Sequence, residues 1–162
     1  MKKEKLTIKE LAAYLPYKLK CKVIASEWYD EGFGILYSID LDEETGVISG
    51  NTLHNKTIYC VEADFSDIKP ILYPLSSLTK EIEHNGAKFV PLEIIVGIAL
   101  KEMNIKESDA VVLSRMIMYN DNLHKLPFWV IQKLFEWKID VFNLIPQGLA
   151  IDVTTLETNP YK

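Results

Sequence analysis

Residues 126 to 145, LPFWVIQKLFEWKIDVFNLI, set five aromatic rings (Phe128, Trp129, Phe135, Trp137 and Phe142) among aliphatics within twenty consecutive positions. A chain with such a stretch must insert it into a bilayer, cover it with a partner or bury it in its own core. At helical spacing Phe128, Ile131, Phe135, Ile139 and Phe142 form one stripe, and Val130, Leu134, Trp137 and Val141 a second. Gln132, Lys133, Glu136, Asp140 and Asn143 take what remains of the circumference. Four charges at the centre make insertion into lipid expensive, so no membrane span is expected. Pro127 and Pro146 set the ends of one long helix buried on more than one side.

The rest of the chain supplies the sheet that such a helix needs. Thr7 followed by Glu10 fits a capping box, and a short helix runs over Ile8 to Leu15 until Pro16. KLKCKVIASEW, 18 to 28, alternates Leu19, Cys21 and Val23 with Lys18, Lys20 and Lys22, a strand with one lysine-coated face. GILYSIDL (34–41) and KTIYCVEA (56–63) read as further strands, joined by a long loop over 42–55 whose glycines and asparagines mark turns. Pro70 and Pro74 bracket ILY and confine it to a sheet edge.

Asn85-Gly86 is the preferred pair for a two-residue type I′ turn, and that turn sets Ile82 opposite Phe89, Glu83 opposite Lys88 and His84 opposite Ala87. A helix follows over 91–104 with proline in its first turn. Residues 108–119 are read as a helix capped by Ser108, and 148–156 as a closing strand. The fold class expected is α+β, a single globular domain over 1–162 with an antiparallel sheet of five or six strands packed against a long C-terminal helix.

Composition narrows the function classes. The net charge is −5, and of eighteen basic residues one, Arg115, is an arginine. Arginine's planar fork is the usual grip on phosphates and bases, so a nucleic-acid partner is disfavoured. Cys21 and Cys60 read as buried, reduced thiols without a CxxC companion. The start, MKKEKLTIKEL, lacks the apolar run of a signal peptide, which points to the cytoplasm. His54, His84 and His124 each read as surface residues beside turns, with no metal-ligand spacing among them. Neither catalytic residues, nor metal ligands, nor a cofactor are assigned. EWYDEGFG, 27 to 34, places Trp28, Tyr29 and Phe33 in an acidic loop, where they are the candidate anchors for a partner protein.

PLSxLTKEIExNGxKFVP within residues 69–93 and QKLFEWxxDVFxLI within 126–156 resemble a group of short uncharacterised proteins of phages and integrated mobile elements of gut-type bacteria. The resemblance implies an accessory protein of the bacterial cytoplasm, and the reading favoured is a non-enzymatic one that binds a host or phage protein, or a second copy of itself. That group carries His-Phe where this chain has Lys138-Ile139, which implies no catalytic role for Lys138. The alternatives are a nucleic-acid or nucleotide binder using the lysine face of strand 18–26, and an enzyme whose site is assembled from scattered residues.

Overall fold

The computed structural model describes residues 5–27, 31–40, 42–52, 58–118 and 125–162. The chain is α+β: helix α1 (Ile8–Tyr14), strands β1 (Lys20–Val23), β2 (Gly32–Asp40), β3 (Thr45–Thr52), β4 (Ile58–Asp64) and β5 (Ile68–Leu72), the hairpin β6 (Ile82–His84) and β7 (Ala87–Phe89), helices α2 (Pro91–Lys101), α3 (Glu107–Met118), α4 (Phe128–Glu136) and α5 (Leu144–Gln147), and β8 (Ile151–Asp152). Six strands form one sheet in the order β4-β3-β2-β1-β5-β8, antiparallel throughout except for the β5–β8 pair. The glutamate of the capping box at α1 is in place: Glu10 accepts from the Thr7 N–H at 2.8 Å.

Two apolar clusters flank the sheet. Leu19, Cys21, Val23, Leu36, Ile48, Ile68 and Leu72 pack with Leu11 and Tyr14 of α1. Ile71 joins the other cluster, with Ile95, Ile117, Val130, Leu134, Trp137 and Ile139. Adjacent residues of a strand point to opposite faces, so β5 serves both. The hairpin has the expected register, Ile82↔Phe89, Glu83↔Lys88 and His84↔Ala87, with Asn85 at φ 51° and Gly86 at φ 77°.

Several expectations need correction. The supposed loop over 42–55 contains β3, which pairs with both β2 and β4. Its composition, TGVISGNT, mimics a turn. The glycines are there because β2 and β3 approach closely: a Cβ on Gly50 would sit 2.0 Å from the Phe33 carbonyl oxygen. Cys60 on β4 is exposed, whereas Cys21 is buried. Phe33 lies on β2 opposite Lys22 and Asn51, not in a loop. Ser108 sits inside the first turn of α3, whose leading carbonyl belongs to Lys106.

Pro70 lies in an interior strand. Ile24 N–H donates to the Asp67 carbonyl at 2.8 Å, and antiparallel pairs alternate between bonded and non-bonded. Cys21↔Pro70, three pairs further along, is therefore non-bonded, and β8 begins only opposite Ile71, so no ladder bond is asked of the proline.

The long helix expected over 127–145 is two short ones. α4 stops at Glu136 because the chain enters a Schellman turn: Lys138 N–H donates to Phe135 O at 3.0 Å and Ile139 N–H to Leu134 O at 2.9 Å, with Lys138 left-handed at φ 58°. Residues 138–140 then extend the sheet beside Tyr73, whose N–H donates to Lys138 O and whose carbonyl accepts from Asp140 N–H, both at 2.8 Å. The Asp140 carboxylate accepts from Leu144 and Ile145 N–H at 2.8 Å each and starts α5. The stretch still serves as the interior: Ile139, Leu134 and Trp137 are buried, although Phe128 is 74% exposed. The closing strand shrinks to the two residues of β8 and a 3₁₀ turn over Val153–Thr155. Among the described residues no helix is long and apolar enough to cross a membrane.

Candidate functional site

Four separate segments meet around one cavity of about 510 Å³: Pro16, Tyr17 and Lys18 after α1 with Lys20 at the start of β1, His84 and Asn85 at the hairpin turn, Glu136 and Lys138 at the end of α4, and Pro160 to Lys162. Ile35 of β2 completes the wall. Lys18, Lys20, Lys138 and Lys162 face Glu136, so the wall is cationic in an acidic chain. Lys162 is further tied to Glu83, at 3.4 Å.

The backbone is unusual here. Lys18 (φ 56°), Asn85 (φ 51°) and Lys138 (φ 58°) all line this cavity, and they are half of the six non-glycine residues with positive φ among those described. Such conformations cost about 1–3 kcal/mol each and cluster at functional sites.

Lys138 combines three local penalties. It occupies the position of a Schellman turn where glycine is preferred. Its residue is 3% exposed, making it the only buried lysine among the described residues. Burial pulls its ammonium down to about 8, with Glu136 opposing the shift. The Nζ donates to the Glu136 carbonyl at 2.5 Å and stands 5.4 Å from the Tyr161 ring centroid and 5.9 Å from that of Tyr17. Two ring faces thus offset part of what the charge loses on leaving water.

His84, read from the sequence as a surface residue, is 5% exposed. It points inward because β6 alternates, so Ile82 and His84 share the buried face. Its ring packs against Tyr161 at 5.5 Å, and neither ring nitrogen has a hydrogen-bond partner among the described residues. Burial, then the charge of Lys138, lower its pKa to about 4, so near neutrality the ring is uncharged and offers one donor and one acceptor.

Tyr161 closes the site and repairs the sheet. Lys20 and Ile71 are the next pair that the β1–β5 ladder would join directly, but the Tyr161 hydroxyl stands between them. It accepts from Lys20 N–H at 3.1 Å and donates to Ile71 O at 2.7 Å. Burial raises its pKa well above the ordinary phenol value.

Of the predicted partner-binding residues, only Phe33 lies among those described. Trp28 and Tyr29 lie outside the described residues, as do His54 and His124. Phe33 faces the Lys22 ammonium at 5.8 Å and lines an apolar cavity of about 440 Å³ with Ile71, Leu156 and Pro160. Lys18 and Lys20, from the lysine-coated strand, do reach the cationic cavity. No three His, Cys, Asp or Glu side chains among the described residues could hold a metal. Sequence reasoning passed over Lys138 and His84; the one available signal was a lysine set directly between two residues of the apolar stripes, Trp137 and Ile139. Comparisons with protein-family models, curated proteins and solved structures find no match.

Proposed function

We propose that this chain is a binding protein for a small anionic molecule, held in the cavity between Lys138, His84 and the Lys18–Lys20 segment. The observation that supports it most is Lys138: its amine is buried on a left-handed backbone position, and burial lowers its pKa to about 8. A residue so placed is explained by what its charge can hold. Lys18 and Lys20 add charge, and the uncharged His84 lines the same cavity. This is the nucleotide-type alternative moved from a strand face into a cavity.

The test is thermal unfolding with sulfate, inorganic phosphate, glycolate and a nucleoside monophosphate, comparing the wild type with Lys138→Met. Without ligand, the variant is expected to be more stable by about 1–2 kcal/mol, because the buried ammonium is gone, which is a rise of several degrees for a chain of this size. An anion at a hundred times its Kd stabilises the wild type by about 2.7 kcal/mol. Multivalent anions also stabilise proteins non-specifically, so the decisive quantity is the difference between the two proteins. Equal shifts in both reject the proposal.

A second reading, contact with a host or phage protein as the resemblance implies, is favoured by exposed apolar side chains on the helices: Phe128 at 74%, Val112 at 54% and Val111 at 51%. Replacing all three with serine is expected to abolish capture of a bacterial partner in pull-downs without loss of fold. Undiminished capture would remove these side chains from consideration.

A further inference from the structure

We propose that the Lys138 amine forms an imine with small carbonyl compounds that carry a carboxylate or a phosphate. The inference rests on the anion-binding reading and adds a chemistry to it.

Imine formation needs an amine that is neutral at working pH, fixed in place and reachable from a cavity. Lys138 is the one buried lysine among the described residues and it lines the cavity. Its Nζ is anchored by one hydrogen bond, to the Glu136 carbonyl, so a neutral amine keeps its lone pair for attack while one N–H stays bound. The ammonium titrates near 8, so a sizeable fraction is nucleophilic in mildly alkaline conditions. The Tyr17 and Tyr161 rings flank the nitrogen and suit a flat imine. Lys18 and Lys20 line the same cavity and are positioned for the anionic end.

The step balances without a co-reactant. The Nζ–C bond forms as the carbonyl π bond breaks, and one amine proton passes to the oxygen to give a carbinolamine. The second amine proton leaves with that hydroxyl as water when the C=N bond forms. Nothing is oxidised or reduced.

The experiment treats the full chain with glyoxylate as the carboxylate probe and pyridoxal 5′-phosphate as the phosphate probe. Adducts are reduced with borohydride and mapped by peptide mass spectrometry across pH 6 to 11. The expected result is modification of Lys138 at least tenfold above any other lysine, with a rate that rises through about pH 8. Lys138→Arg, checked for fold by circular dichroism, has no amine that can condense with a carbonyl and is expected to lose that adduct. Labelling spread evenly over exposed lysines, or a Lys138 profile centred near the ordinary 10.5, overturns the proposal. If glycolate and phosphate bind and no adduct forms, the imine falls and the anion site stands. If neither binds and no adduct forms, both fall.

Discussion

Replacing Tyr161 with alanine is expected to remove about 4 kcal/mol of folding stability, the range for deleting a buried aromatic ring. That is a large part of the 5–15 kcal/mol that holds an ordinary domain. The ring is 4% exposed and packs between Tyr73, at 6.2 Å, and His84, at 5.5 Å, beside the Lys138 ammonium. The segment around it stitches the hairpin to the sheet. Asn159 donates to Tyr73 Oη at 2.7 Å and to Glu83 O at 2.9 Å, and Asn85 N–H donates to the Tyr161 carbonyl at 2.7 Å. Tyr161→Phe separates packing from polarity. It keeps the ring but leaves Lys20 N–H and Ile71 C=O without their bridge, at an expected cost of about 1–3 kcal/mol. Urea unfolding followed by circular dichroism measures both. A loss below about 1 kcal/mol for the alanine variant would show that the 159–161 segment is an ornament on the fold and not part of it.

The same tyrosine shows why the site was not legible from the sequence while much of the fold was. The hairpin could be read to the residue because its information is local: Asn85-Gly86 fixes the turn, and the turn fixes the register. β1, with Cys21 and Val23 inward, was readable for the same reason. β3 was not, since its glycines exist for a close approach to β2 that only the paired strand reveals. The break after Glu136 escaped notice because Lys138 carries no helix-stop signal: the left-handed turn is imposed by pairing with Tyr73 and by the Asp140 carboxylate capping α5. Pro70 misled for a parallel reason, as its tolerance depends on which ladder slot it falls into. The cavity draws on residues near 18, 84, 138 and 161, and no spacing rule links these positions. Their pairing is a property of topology.

Acidification from pH 7 to 4.5 is expected to remove up to about 2 kcal/mol of stability through His84 alone. The sign follows from the direction of its shift. Its folded-state pKa is lowered from 6.5 to about 4, so as pH falls the unfolded chain takes up the proton first and is favoured. The stability is whole above 6.5 and is lost progressively toward 4. Asp140 opposes it: burial raises its carboxyl, so the folded state gains protons earlier than the unfolded one and is favoured as pH falls. His84→Leu isolates the first effect, and its unfolding free energy is expected to fall less than that of the wild type, by about 2 kcal/mol, over the same interval. The cavity adds a reciprocal consequence. An anion bound beside the imidazole favours its charged form, so anion and proton must each tighten the binding of the other. Sulfate, whose charge is constant over this range, is therefore expected to stabilise the wild type more at pH 4.5 than at pH 7, with no such difference in His84→Leu. Identical sulfate increments at both pH values in the wild type would place the bound anion away from His84, and with it away from Lys138, whose charge is the second cause of the histidine's lowered pKa.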